Sequence, residues 1–261
     1  MTSIYRLLLC HLCFCLLCGS FLLFCAPLLR ADRHFTFPYE SYAEAPGVIE
    51  SENQVFGRLR RVAGRQTFGI DVRNEIEFGV AKDFELGVYV ANWTYRDGRL
   101  DDSRGFHYEG VALEPKYRIW DEHAGKPLGI AVLGEIGGGR RFFGLEGRLI
   151  VDKRVGKWQA AYNFVVESEW SDFRLRSRTI VLGQSAGVRY DLTPSFSAGA
   201  ELRYEAAFPN QHEPVEHTLF LGPVFCWDRE RFYLTASPSF QVTGVKNEPR
   251  FFPRVIAGLK F

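Results

Sequence analysis

The chain ends on Phe251-Phe-Pro-Arg-Val-Ile-Ala-Gly-Leu-Lys-Phe261, a segment that alternates faces residue by residue and stops on an aromatic side chain. Successive side chains of an extended strand point to opposite faces. Phe251, Pro253, Val255, Ala257, Leu259 and Phe261 therefore share one face, and Phe252, Arg254, Ile256, Gly258 and Lys260 the other. One face suits lipid and the other a wet or polar interior, which is how a strand that closes a membrane barrel ends. The blander counterpart is the edge strand of a soluble sandwich, and the rest of the chain has to decide between them.

The other end decides first. Residues 1–31 carry an early charge at Arg6, an apolar run through Phe24 and small residues near their end, the layout of a secretory signal peptide with cleavage expected after Ala31. An uncleaved anchor is the competing reading, because the apolar stretch from Leu7 to Leu29 is long. Gly19, Ser20 and Pro27 interrupt that stretch and favour cleavage. Five cysteines, Cys10, Cys13, Cys15, Cys18 and Cys25, lie within it, so their close spacing is no metal site, and Cys226 remains alone without a disulfide partner. Losing Arg6 and Arg30 takes the formal charge from +1 to −1, a balance that offers nothing to nucleic acid. Residues 32–47, with Pro38, Pro46 and Gly47, read as an extended periplasmic leader, and residues 48–261 as one uninterrupted β domain.

Within that domain period-2 segments recur at 48–62, 68–80, 84–95, 106–120, 127–137, 143–152, 157–170, 177–191, 196–206, 216–227, 232–242 and 251–261. They predict an all-β fold, a single antiparallel transmembrane barrel of about twelve strands. Tight connections such as Ala81–Asp83, Lys153–Gly156 and Asp228–Arg231 alternate with longer polar loops such as Arg96–Gly105 and Ala207–Val215, the asymmetry of a bacterial barrel. The same phase collects two aromatic girdles. Phe78, Phe84, Tyr117, Trp158, Tyr190, Phe196, Trp227, Phe232 and Phe261 lie at the short-turn end, and Phe68, Phe143, Trp170, Tyr204, Phe240 and Phe251 at the loop end. A lipocalin-like soluble barrel would turn its apolar phase inward. The ending itself resembles the C-terminal assembly signal of Gram-negative outer-membrane proteins, carried by Val255, Ala257, Leu259 and Phe261; that resemblance implies barrel-assembly machinery and outer-membrane lipids as partners.

The inward phase mixes signs. Arg73, Glu75, Glu114, Lys116, Glu146, Arg148, Glu201 and Arg203 are the lumen groups expected to touch a solute, with Glu114 paired to Lys116 and Glu201 to Arg203. Cys226 is expected inward near the periplasmic end, between outward Phe225 and Trp227. Twelve strands stand between filled eight-stranded barrels and open porins. The runs Phe78–Val90 and Tyr108–Arg118 and the start Phe35-Thr-Phe-Pro-Tyr-Glu resemble an uncharacterised family of predicted Gram-negative outer-membrane barrels, similar to the phenol-degradation (MetA-pathway) barrel family; the resemblance implies location and fold, and no substrate.

The expected function is a narrow passive channel or binding barrel for a small solute, with a closed, salt-bridged scaffold as the alternative. A lipid hydrolase is the second alternative, for which His107, His212 and His217, with Asp101, Asp102 and Ser103 nearby, are the available groups. No Gly-x-Ser-x-Gly elbow supports it, so the chain is expected not to be an enzyme. Gly137-Gly-Gly139 lacks the Lys-Ser/Thr of a phosphate loop, and no cofactor or metal site is expected.

Overall fold

The computed structural model describes residues 33–62, 65–97, 104–139, 142–171, 177–209, 214–246 and 248–261. The expected signal peptide and its cleavage point after Ala31 lie outside them. Twelve antiparallel strands follow in order: β1 (Ile49–Val62), β2 (Arg65–Ala81), β3 (Phe84–Arg96), β4 (Gly105–Trp120), β5 (Gly129–Gly139), β6 (Phe143–Val155), β7 (Trp158–Trp170), β8 (Arg178–Thr193), β9 (Phe196–Phe208), β10 (Glu216–Arg229), β11 (Phe232–Gln241) and β12 (Phe251–Lys260). Each strand pairs with its neighbours in sequence, and β12 closes the barrel on β1 with Val55 opposite Val255 and Glu50 opposite Lys260. Every expected strand is present to within a few residues at its ends. Two of the tight turns use left-handed residues, Asp83 at φ 64° and Gly156 at φ 59°, as hairpins with the right-handed twist of their strands require.

Side-chain alternation sets the two faces. Val55, Leu113, Leu149, Leu221 and Val255 point outward and are between 39% and 50% exposed, an apolar belt suited to hydrocarbon and not to water. Cys226 points inward, 2% exposed, while Phe225 and Trp227 face out, as the phase of β10 predicts. Outward rings pair at both rims: Trp158 with Tyr190 and Trp227 with Phe232 at the short-turn end, Phe143 with Trp170 and Phe240 with Phe251 at the loop end.

Besides register shifts close to the short turns, strict alternation fails in mid-strand at β3. The β2–β3 ladder pairs Glu75 with Tyr89 and Asn74 with Ala91, leaving Val90 as an extra residue, and the β3–β4 ladder skips Glu109 between Tyr108 and Gly110. Each bulge inverts the phase beyond it. Trp93 and Tyr95 thereby join the outer face opposite Tyr108 and Phe106, their rings 5.2 and 5.1 Å apart, and extend a girdle that strict alternation from Phe84 would deny them.

The sequence leaves open whether the leader enters the lumen. Residues 33–44 do not trail outside the barrel: they run through its interior, with Phe35 and Thr36 fully buried and Arg33, His34, Phe37, Tyr39, Glu40, Ser41, Ala43 and Glu44 each less than 9% exposed. The physical reason is composition. Phe35, Phe37 and Tyr39 have apolar area to bury, and the lumen offers Phe56, Phe220 and Phe252 around Phe37, and Ala131, Leu133 and Ile150 around Tyr39.

Candidate functional site: a plugged lumen

An irregular segment inside a barrel has no ladder to satisfy its backbone, so each of its buried amides needs a side-chain partner. The wall supplies them in sequence from the short-turn end. Glu44 N–H donates to Glu85 Oε2 at 2.8 Å, while its carboxylate meets Lys260 Nζ at 2.7 Å. Ser41 N–H donates to Asp152 Oδ1 at 2.7 Å. Asn163 grips Tyr39 from both sides, accepting its N–H at 2.6 Å and donating to its carbonyl at 2.9 Å. Glu201 accepts the N–H groups of Thr36 and Phe37 at 2.8 and 3.2 Å, and Arg254 donates to the Thr36 carbonyl at 2.8 Å.

From there the segment turns back toward the short-turn end. Thr235 Oγ1 donates to the Arg33 carbonyl at 2.6 Å, Arg33 Nη1 reaches Glu52 at 3.0 Å, and His34 Nδ1 closes the loop on Glu40 at 2.8 Å. The wall is also notched. A Cβ on Gly187 would lie 2.5 Å from the Phe35 ring, and one on Gly129 would lie 2.2 Å from Ser41 Oγ. Glycine in the inward phase of a strand leaves room for the close approach of another chain segment.

Above the plug, toward the loops, lies a cavity of about 280 Å³ with Phe37, Arg73, Glu146, Arg148, Arg203 and Arg254 in its wall. Three pairs of its charges are matched, Arg73 with Glu135 at 2.9 Å, Arg148 with Glu146 at 2.7 Å, and Arg203 with Glu205, while Glu167 and Arg254 have no ion pair among the described residues. Arg148 also stacks on the Tyr39 ring and Arg254 on Phe37, so the cavity wall and the plug are joined by cation–π contacts.

The eight lumen residues expected from the sequence thus divide by height. Arg73, Glu146, Arg148 and Arg203 line the cavity. Glu75, Glu114, Lys116 and Glu201 are buried lower down. The two expected ion pairs do not form. Lys116 pairs with Glu85 at 2.6 Å, its direct partner across the β3–β4 ladder, and Glu114 accepts from Tyr89 Oη at 3.3 Å. Glu201 is spent on plug amides, which leaves Arg203 to Glu205. Asn163, Asp152 and Gly187 were missed because a lone Asn, Asp or Gly in a strand carries no sign of what it will face.

Of the histidines considered for hydrolysis, His217 lies on the outer face, where its ring stacks on Tyr204 and its Nδ1 is 2.7 Å from Tyr204 Oη. His107 stands opposite Thr94 on the β3–β4 ladder, while His212, Asp101, Asp102 and Ser103 lie outside the described residues.

His34 gives the plug a pH dependence. Burial alone would push its imidazole down, but the adjacent Glu40 and Asp228 carboxylates outweigh burial and raise it above its usual value. Glu40 is likewise pushed up by burial and held below the usual carboxylate range chiefly by His34. A raised imidazole stabilises the docked plug fully below its free value near 6.5, and that contribution is lost as pH rises through the raised value. The depressed carboxylate contributes above its free value near 4.3 and loses its effect on acidification below it. Amide exchange across residues 33–44, normalised to intrinsic rates, should therefore be slowest at mildly acid pH and speed up on the alkaline side. His34→Gln should remove the alkaline change; an unaltered pH profile in that variant would contradict the assignment.

Comparison with known proteins agrees with this architecture. Residues 149–253 match a family described as a family of unknown function, DUF6662. Among curated proteins none matches the chain. Among solved structures, the chain is similar to the COG4313 outer membrane channel from Pseudomonas putida F1, with a TM-score of 0.64 at 10% identity over 87% of this chain and 100% of that one. It is also similar to the NanC porin (TM-score 0.54, 9% identity, 82% and 100% covered) and the KdgM porin (0.52, 10%, 82% and 99%). The fold is that of the outer-membrane β-barrels.

Proposed function

We propose that the chain is a bacterial outer-membrane barrel, exported by a signal peptide cut after Ala31, that acts as a narrow passive channel or binding barrel for a small solute. In the state described here residues 33–44 shut it. The observation that carries this reading is the 280 Å³ cavity of mixed charge whose floor is the plug, because it is close to the size of small-molecule sites and is closed below by a segment that belongs to no strand of the barrel. The similarity of the fold to an outer membrane channel and to two porins supports it. Kinship with the phenol-degradation type of barrel, which rests on residues 35–40, 78–90 and 108–118, is part of the same proposal. A closed scaffold is the second reading, favoured by the number of wall residues that hold the plug.

Planar-bilayer recording separates the two. The full chain should show small, infrequent openings with weak ion selectivity, since the Arg73–Glu135, Arg148–Glu146 and Arg203–Glu205 pairs leave no ring of one sign. Arg148→Ala and Glu146→Ala should move the reversal potential in opposite directions, toward cations and toward anions respectively. Large, strongly selective steps in the full chain would contradict the mixed-charge cavity. Silence even after the plug is removed would leave the scaffold.

A further inference from the structure

Beneath the plug, the β1–β2 ladder sets glutamate directly against glutamate twice, Glu50 opposite Glu77 and Glu52 opposite Glu75. Like charges in register on a ladder repel, and these four side chains point into the lumen, each less than 9% exposed. Glu44 of the plug comes down on the same group. The available cations do not cover it. Lys260 lies 2.7 Å from Glu44 and 3.6 Å from Glu50, and Arg33 takes Glu52 at 3.0 Å, whereas Lys116 is engaged with Glu85. Glu75 and Glu77 have no ion pair among the described residues.

Glu75 is the sharper anomaly. It is 1% exposed, and neither of its carboxylate oxygens has a hydrogen-bond partner among the described residues. Tyr89 is a neighbour, but its hydroxyl donates to Glu114. A proton on Glu75, donated to the Tyr89 oxygen, would remove one charge of the group but leave Glu77, which faces Glu50 across the ladder, without a counter-charge, so protonation of Glu75 alone does not satisfy the site. One carboxylate oxygen from each of Glu52, Glu75 and Glu77 lies within 4.8 Å of the others, and so does one from each of Glu44, Glu50 and Glu77. Calcium–oxygen bonds of roughly 2.3–2.6 Å place two oxygens on opposite sides of one ion about that far apart. A cavity of about 30 Å³, walled by Glu44, Glu50, Glu52 and Glu77 together with Arg33 and Lys116, lies beside the same group and has room for an ion or a water.

The geometry points to a divalent-cation site on the lumen floor, with Glu52, Glu75 and Glu77 as its carboxylate ligands and Glu44 and Glu50 completing its charge. An all-carboxylate donor set is that of a hard cation, and ligands spread over two strands suit Ca²⁺, which tolerates irregular coordination, better than Mg²⁺, which demands a near-ideal octahedron. Because Glu44 belongs to the plug, the ion would tie the plug to the wall at the end opposite the solute cavity. The site stands independently of the channel proposal and is read by binding, not by conductance.

The test uses the full barrel, folded in detergent, stripped with chelator and free of lipopolysaccharide. Ca²⁺ should bind by calorimetry with a stoichiometry of one tight site, Tb³⁺ should compete for it, and Ca²⁺ should raise the unfolding temperature. Glu75→Gln should weaken binding by roughly tenfold or more, through loss of a charged ligand. The same variant without metal should unfold at the same temperature as the stripped parent or higher, because it lacks the unpaired carboxylate. That opposite pair of effects separates a ligand from a merely structural glutamate. Should Glu75→Gln fail to fold, Glu77→Asp, which retracts a carboxylate without removing it, should lose the calcium-induced shift. No binding at millimolar Ca²⁺, or binding unchanged in both variants, overturns the site.

Discussion

A barrel lacking residues 33–44 should conduct steadily where the full chain opens rarely and little. The deletion removes Phe35, Phe37 and Tyr39 from mid-lumen and, with them, the cation–π contacts that join Arg148 and Arg254 to the plug. None of the twelve interstrand ladders passes through these residues, so the β-sheet loses no backbone pairing. The wall groups left behind, Glu85, Asp152, Asn163 and Glu201, are polar and would be hydrated by the water that enters. The deleted barrel should therefore still migrate as a compact, heat-modifiable species on gels while its conductance and its uptake of small sugars in liposome swelling rise. A deleted barrel that folds and remains impermeable would mean that side chains alone shut the lumen.

Gly187→Val should loosen the plug without shortening it. The added Cβ would lie 2.5 Å from the Phe35 ring, closer than real contacts allow, and the strand backbone cannot retreat because β8 is paired on both sides. Overpacking of this kind costs about 1–3 kcal/mol. If the strain is relieved by expelling the plug, the displaced population rises by about 5–150-fold. Combining Gly187→Val with Phe35→Ala, which makes room for the new side chain, should return conductance toward the parent level, a non-additivity expected only of residues in contact. Equal conductance in the single and double variants would show that Phe35 does not hold the plug in place.

Alternation of apolar and polar residues made the barrel legible before any coordinates. Lipid demands one face, the lumen another, and the extended chain can serve both only with period 2. That requirement is local, which is why the strands, the tight turns at Asp83 and Gly156, the outward phase of Val255, Leu259 and Phe261 and the inward phase of Cys226 could all be read from residues 48–261. It also explains why Trp93 and Tyr95 are absent from the girdles expected from the sequence, since a bulge adds one residue and flips a face without leaving a mark in composition.

The lumen obeyed no such rule. Whether Glu201 faces Arg203, a solute or the amides of Thr36 and Phe37 depends on where a segment 165 residues away in sequence comes to rest. Lys116 chose Glu85 because ladder register, set by a turn, put them side by side. The opposed pairs Glu50–Glu77 and Glu52–Glu75 likewise exist only once β1 and β2 are in register. The sequence by itself determined how many times the chain crosses and, except beyond the bulges of β3 and β4, which face of each strand meets lipid, because that selection acts residue by residue along one strand. Only the tertiary structure decided that residues 33–44 return into the barrel, which acids they satisfy and which are left facing each other, because those contacts are made between segments that no local pattern connects.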